Sequence, residues 1–317
     1  MKSLLSLRVI SKLRVAEHII AIDLVSEDGE DLPVYEPGSH IDLHLAPGLS
    51  RCYSLYGRNS ERNVYRIAVL REHEGRGGSR HIHDQLSLGD VISATPPRNN
   101  FPLHTAPHHV MFAGGIGITP VLSMAWSLWE RRESFHLHYC GRSLDRMAFR
   151  GELTTAPFAS NVSLYTNDAA PSEQLDINGV FSDTPPGTHF YTCGPTGFID
   201  WVEKNGALYN LDSAHFHHEH FAAEIDTKGD EFEVFLARSK LTVNVHENET
   251  IASALLRIGL EIPISCAQGV CGTCITTVLE GIPDHRDQYL MDSEKKSNSL
   301  MTLCCSRAVS KRLTLDI

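Results

Sequence analysis

Hydrophobic and polar positions change rhythm three times along the 317 residues. The first hundred residues alternate with period two. Ile41-Asp42-Leu43-His44-Leu45 swaps apolar for polar at every step, the pattern of a strand with one buried face. Residues 19–25, 51–56, 65–70 and 91–94 are also assigned as strands, with turn residues between them at Pro37-Gly38, Pro47-Gly48 and Gly89-Asp90. No strand is assigned ahead of Ile19, and one short helix is expected at 81–86. About six short strands and a single helix predict a closed antiparallel β-barrel over residues 1–102.

From His109 onward, short apolar strands alternate with helical stretches. Strands are expected at 110–113, 135–140, 162–165 and 189–192, and helices at 120–130, 147–153 and 195–204. Thr119 is read as the N-cap of the first of these helices, with Pro120 at its first position. Such units predict an α/β domain with a parallel sheet over residues 103–225 and ligands at the carboxyl ends of its strands. A polar stretch at 222–230 then reads as a linker. It is followed by a hairpin pattern (232–236, 241–245), a short amphipathic helix (250–258) stopped by Gly259, and a terminal strand at 312–317. These form a third domain, residues 226–317.

Three strands of chemistry lie on this frame. The first is Cys266-x₄-Cys271-x₂-Cys274, with Leu303-Cys304-Cys305-Ser306-Arg307 downstream. That is the ligand spacing of a plant-type [2Fe–2S] cluster. Gly269 and Gly272 give the loop freedom to turn its amides toward the sulfurs. A zinc site would favour paired C-x₂-C knuckles, and there is no second knuckle. Either Cys304 or Cys305 could supply the fourth thiolate.

The second is Arg51-Cys52-Tyr53-Ser54, followed about 25 residues later by Gly75-Arg76-Gly77-Gly78-Ser79-Arg80 ahead of a helix. A glycine-rich loop feeding a helix N-terminus is a phosphate cradle, although the same stretch could be a plain β-to-α connection. The third is Gly114-Gly115-Ile116-Gly117-Ile118-Thr119-Pro120, which leads from strand to helix and suits a pyrophosphate, with Tyr191-Thr192-Cys193-Gly194-Pro195 closing a later strand.

Composition narrows the partners. Hydrophobic residues make up 42% and charged residues 21%, as in a globular protein, and the net charge of −11 argues against nucleic acid and anionic membranes. No apolar run approaches the ~20 residues that span a bilayer. Eight cysteines, four of them suited to a cluster, read as reduced thiols of a cytoplasmic protein. His215-Phe216-His217-His218-Glu219-His220-Phe221 invites a metal reading, but alternation places no more than two of its histidines on one face, so a strand is the better assignment.

Taken in order, these motifs resemble the phthalate dioxygenase reductase family of the ferredoxin–NADP reductase superfamily. That resemblance implies an FMN barrel, a nicotinamide domain and a β-grasp ferredoxin. It implies that Arg51 pairs with the FMN phosphate alongside Gly77, Gly78 and Ser79, that Tyr53 lies against the flavin and that Ser54 meets its N5. It places Gly114, Gly115, Gly117, Thr119, Pro120 and Arg142 along the dinucleotide, favours NADH over NADPH, and sets Cys193, Gly194 and Pro195 at the nicotinamide. Glu219 and Phe221 match the family's closing segment, and Cys304 matches its fourth cluster ligand, which leaves Cys305 as a small buried neighbour. The implied function is electron transfer from NADH through FMN and [2Fe–2S] to a partner oxygenase, typically of the Rieske type. A redox sensor and an NADH oxidase that reduces oxygen directly are the alternatives.

Overall fold

Leu5–Ala16, a stretch that alternation left without a strand, forms the longest strand among the described residues. The computed structural model describes residues 4–46, 49–73, 77–209, 211–221 and 225–317. The Pro47-Gly48 turn, Gly75-Arg76 of the glycine-rich loop and 222–224 of the linker lie outside them. Strand β1 (Leu5–Ala16) pairs antiparallel with β2 (Ile19–Ser26), with bulges between Val9 and Ser11 and between Arg14 and Ala16. The bulges explain why the strand was missed. Leu7 and Val9 point into the core, and the extra residue then shifts the phase, leaving Leu13 64% exposed.

Strands β3 (Ser39–Ala46), β4 (Leu49–Ser54) and β5 (Tyr65–Leu70), helix α1 (Gly78–Asp84), and strands β6 (Val91–Ala94) and β7 (Arg98–Asn99) complete the first sheet. Its order is β4-β3-β6-β1-β2-β5, with β7 on β3. The two ends meet through a bridge between Leu55 and Ile67 and a Tyr56 N to Arg66 O hydrogen bond of 3.0 Å, so the sheet closes on itself. Leu7, Leu24, Ile41, Leu43, Ile67 and Ile92 pack together, joined by Ile82 of α1. The ammonium of Lys12 fixes that helix by donating to three carbonyls at its C-terminal end, Ile82 (3.0 Å), His83 (2.8 Å) and Leu86 (2.6 Å).

The second sheet of this unit is wholly parallel, in the order β10-β9-β8-β11-β12. Its elements are β8 (His109–Gly114), α2 (Ile118–Arg131), β9 (Phe135–Gly141), α3 (Arg150–Thr155), β10 (Val162–Thr166), α4 (Ile177–Ser182), β11 (His189–Gly194), α5 (Thr196–Ala207) and β12 (Phe216–His220). Both faces are covered. Met111, Ala113 and Cys193 join the α2 side, where the core runs on to Tyr56 and Phe101 of the barrel region. Val110, Phe112 and Phe190 pack with Phe181 and Val202 on the other side.

Residues Ala222–Ile317 make a separate unit. Strands β13 (Phe232–Leu236) and β14 (Leu241–Val245) form the expected hairpin, and α6 (Ile251–Arg257) starts at Thr250, whose side chain accepts from Ser253 N. Then come β15 (Ile275–Glu280), β16 (Pro283–Asp284), α7 (Asp292–Ser297), β17 (Leu300–Thr302), β18 (Arg307–Ala308) and β19 (Arg312–Leu315). The main sheet runs β14-β13-β19-β15-β17, with β13 and β19 parallel at its centre. One helix packed on a mixed sheet, with a long loop between α6 and β15, is the β-grasp arrangement. The molecule is thus multidomain, with an antiparallel barrel, a parallel α/β sheet and a β-grasp unit.

Candidate functional site

The parallel sheet delivers its two glycine motifs to the same edge, because β8 and β11 are neighbours and both end there. Gly117 sits so close to β11 that a Cβ would lie 2.2 Å from the Cys193 carbonyl oxygen. A Cβ on Gly194 would lie 3.0 Å from the Gly114 Cα, so backbone stacks on backbone at this point. Gly115 takes φ +55°, the left-handed region that only glycine enters cheaply.

The helix start differs from the sequence expectation. A turn of 3₁₀ helix over Gly115–Gly117 leads directly into α2 at Ile118, with Gly117 as the flanking residue. Thr119 is therefore inside the helix and does not cap it, and its hydroxyl donates to Ile116 O at 3.1 Å. Pro120 moves from the first helical position to the third, where its missing N–H is still one of the unpaired donors of the first turn. Threonine is a good cap by composition, but the tight glycine turn satisfies that end with backbone instead. Arg142 stands exposed just past the end of β9.

Register brings the remaining groups together. Cys193 and Glu219 are partners across β11 and β12, and Ser54, at the end of β4, donates to Glu219 Oε2 at 3.3 Å. Burial dominates the electrostatics of both sheet residues. It raises the Glu219 carboxyl to about 8, with the Ser54 hydrogen bond opposing. Burial and then the nearby carboxylate push the Cys193 thiol well above its usual value. At neutral pH this corner can hold a protonated carboxyl and a neutral thiol, a pair able to face a reacting ring without adding fixed charge. Phe221, just beyond β12, packs on the shared core.

At the foot of β4, Arg51 lies along the start of α1. A Cβ on Gly78 would meet Arg51 Cγ at 2.4 Å and Nε at 2.7 Å, so only glycine lets the arginine lie there. Gly77 precedes the helix with φ +85°, and Ser79 Oγ accepts from Glu72 N at 3.0 Å. Burial raises the Tyr53 hydroxyl, which keeps it protonated. A guanidinium beside the open amides of a helix start suits a phosphate.

In the second unit, Cys266, Cys271, Cys274 and Cys304 are all at least 94% buried. Their thiols converge, with Cys304 within hydrogen-bonding reach of Cys266 and Cys274, and Cys266 of Cys271. None of the eight cysteines is in a disulfide. Gly269 (φ +73°) and Gly272 (φ +69°) adopt the left-handed conformation that the loop was expected to need. The four donors fit a [2Fe–2S] cluster. Cys305 also lies within hydrogen-bonding reach of Cys304, and its thiol further meets Thr302 Oγ1 at 3.1 Å and the space above Gly269, where a Cβ would approach its sulfur to 2.4 Å.

Two residues of this unit lie in stretches that resemble the family, but their roles were not readable from the sequence. Asp287 is 4% exposed and accepts from Leu290 N (2.7 Å), Tyr289 N (3.2 Å) and Ser306 Oγ (3.3 Å), while Gln288 N donates to Gly269 O (3.0 Å). It thereby braces the cysteine loop. Arg307, 1% exposed, ties the carbonyls of Asp230 (2.8 Å), His246 (3.2 Å), Gly229 (3.3 Å) and Glu249 into one knot. The first lies in Asp284-His285-Arg286-Asp287, a segment common in the family, and the second in the Ser306-Arg307-Ala308 stretch that follows the fourth-ligand position.

The histidines of β12 divide between its faces as alternation required. His217 Nε2 lies 3.0 Å from His189 Nδ1, and on the opposite side His218 Nδ1 lies 2.5 Å from Glu203 Oε1. Among the described residues, the three-donor group with metal-like spacing is elsewhere, at His40, Asp42 and Cys52.

Comparison with known proteins agrees with this geometry. Residues 234–309 match the family model described as a 2Fe-2S iron-sulfur cluster binding domain, and residues 111–204 match the oxidoreductase NAD-binding domain. The vanillate O-demethylase oxidoreductase of Pseudomonas sp. (strain HR199 / DSM 7063) is 41% identical, covering 98% of this chain and 99% of its own. The tetrachlorobenzoquinone reductase of Sphingobium chlorophenolicum is 42% identical, covering 99% and 98%. The solved structure of phthalate dioxygenase reductase, described as a modular structure for electron transfer from pyridine nucleotides to [2Fe-2S], superposes with a TM-score of 0.77. It shares 36% identity and covers 99% of this chain and 98% of its own.

Proposed function

Since the chain belongs to the phthalate dioxygenase reductase-like family of oxidoreductases, we propose that it takes a hydride from NADH at an FMN and delivers single electrons through a [2Fe–2S] cluster to a partner oxygenase. The observation that carries this reading is the convergence of Ser54, Cys193 and Glu219 between barrel and parallel sheet, on a chain that also gathers four thiols in its β-grasp unit. A flavin supplies the conversion between two-electron and one-electron transfer, which neither nicotinamide nor cluster provides alone.

The residues divide the work by position. Arg51, Gly77, Gly78 and Ser79 hold the FMN phosphate, while Tyr53 and Phe221 border its ring and Ser54 donates to its N5. Gly114, Gly115 and Gly117 let the NADH pyrophosphate approach the α2 start, where Thr119 and Pro120 shape the first turn, and Arg142 flanks the adenine ribose. Cys193, with Gly194 and Pro195, borders the nicotinamide. Glu219, with its pKa near 8, is suited to take up or release the proton that accompanies flavin redox change. Cys266, Cys271, Cys274 and Cys304 ligate the cluster. The eight thiols, none in a disulfide, support a cytoplasmic setting, and among the described residues no helix is long and apolar enough to cross a membrane.

The test is Cys271→Ser in protein reconstituted with FMN. NADH should still bleach the flavin in stopped flow, while reduction of the oxygenase encoded beside the gene drops by orders of magnitude. Undiminished oxygenase reduction would overturn the proposal. The quinone-reducing relative favours a second reading, in which a small quinone is the acceptor. Rapid quinone turnover that is indifferent to added oxygenase would establish that one instead.

A further inference from the structure

The outer face of β3 and β4 carries a cluster that none of the roles above uses. Antiparallel register sets Asp42 opposite Cys52, and His40 lies two residues back along β3, so all three side chains project from one face of the sheet. Neighbouring Ile41, Leu43 and Tyr53 belong to the other face and pack with the barrel core. The imidazole, carboxylate and thiol each offer a donor atom, and these lie within 4.8 Å of one another. His40 is 1% exposed and Asp42 2% exposed, whereas Cys52 is only half-buried, which leaves an approach from its side.

We propose that His40, Asp42 and Cys52 form a binding site for a zinc-class divalent metal ion. Thiolate, imidazole and carboxylate are the donor types such an ion selects, and three protein ligands with a fourth position open to water is a common zinc arrangement. The surroundings are those of a prepared site. Arg98 donates to Asp42 Oδ2, as the outer partners of metal-ligating carboxylates do. The Asp42 amide donates to Thr95 Oγ1 at 3.0 Å, and β7 brings Arg98 opposite His40, so the ligands stand on paired backbone on both sides. Binding releases the Cys52 thiol proton to solvent, so affinity should fall as pH is lowered.

The site lies between Arg51 and Tyr53 in sequence and faces away from them, on the sheet face that also carries Ser54, the register partner of His40. An ion there would staple β3 to β4 behind the phosphate-side arginine without touching it.

The experiment uses holoenzyme with FMN and the iron–sulfur cluster in place, dialysed against zinc chloride, desalted and analysed for zinc and iron together. The wild type should retain about one zinc per chain. X-ray absorption at the zinc edge should show a single sulfur among nitrogen and oxygen neighbours. Cys52→Ala should lose the zinc and keep its iron. Asp42→Asn, which can still accept from Arg98, should weaken retention at least tenfold. No retained zinc in the wild type, equal zinc in Cys52→Ala, or a sulfur-rich shell indicating zinc in the iron site would each overturn the proposal.

Discussion

The nicotinamide edge and the cysteine loop solve opposite problems of assembly. The first collects residues from four distant stretches (51–54, 114–117, 193–195 and 219) and holds them by sheet register, buried carbon and glycines where an added Cβ would meet its neighbours at under 3 Å. Such packing should set its geometry before any ligand arrives. The second draws three of its four thiols from nine consecutive residues, held by left-handed glycines and the Asp287 brace, with Cys274 and Cys304 set in the apolar core of their unit. Four thiolates on one ligand would couple its binding to the cohesion of the loop. A rigid site tolerates loss of one polar group but not added volume; a ligand-organised loop tolerates volume at its rim but not loss of a donor.

The largest effect should come from breaking the loop at its donors. Cys304→Ser should abolish the visible absorption and iron content of the cluster and lower the melting temperature of the β-grasp unit. Cys305→Ser should retain both, since its thiol faces Thr302 and Gly269. Iron analysis and circular dichroism decide it, and the reverse outcome would reassign the fourth ligand.

Added volume is the matching insult to the other region. Gly117→Ala drives a methyl to 2.2 Å from the Cys193 carbonyl, and two paired strands leave nowhere for it to go. Overpacking of this kind costs roughly 1–3 kcal/mol, and the shift of the α2 start should weaken NADH binding about tenfold or more. Denaturant melts and single-turnover reduction measure the two parts. Gly151→Ala, at a glycine of α3 with open space around it, is the control and should leave NADH binding unchanged and lower no melt, since alanine there favours the helix.

How legible each region was in the sequence follows the same division. The cysteine loop is local, so its spacing, its two glycines and three of its four ligands could be read off nine residues, while the fourth, Cys304, came from the family resemblance. The nicotinamide edge is not local, and its parts were recognisable only as separate motifs. That Cys193 faces Glu219, or that Ser54 reaches Glu219 from another sheet, depends on strand order, which no period encodes. β1 was lost because a bulge breaks alternation after Val9. Thr119 was misplaced because capping rules weigh the side chain, whereas here a 3₁₀ turn of glycines decides where the helix starts. Arg307 belongs to the motif beside the fourth ligand, but its role could not be read, since a buried arginine that binds carbonyls has no partner visible in sequence.

A smaller effect tests whether the phosphate corner belongs with the preformed region. Arg51→Ala removes one charge-assisted contact beside an intact helix start, so FMN should be held more weakly by about 1.5–3 kcal/mol while the barrel melts unchanged. Equilibrium dialysis of FMN reads the first and thermal melting the second. A collapse in stability would mean that Arg51 organises the α1 start and does not merely contact a ligand there.

The finest test of preformation is the pH dependence of stability in flavin-free protein. Burial raises Glu219 to about 8 in the fold, against an ordinary value near 4.5. Between those values the folded state binds the proton more tightly than the unfolded chain does. Its contribution is therefore fully present below about pH 4.5 and is lost as pH rises through about 8. From pH 6 to pH 9 the loss amounts to about 1–2 kcal/mol at 1.36 kcal/mol per unit, after allowance for relaxation around the carboxylate. Glu219→Gln keeps the shape and the Ser54 contact without a titrating group there, so the wild type should lose stability relative to the variant over that range, the buried histidines contributing equally to both. The comparison is made by urea melts of both proteins at four pH values. If the corner is rigid before the flavin binds, the wild-type curve falls relative to the variant's; if the corner opens to water in the free protein, the two curves run parallel and the preformed site is an illusion of the closed state.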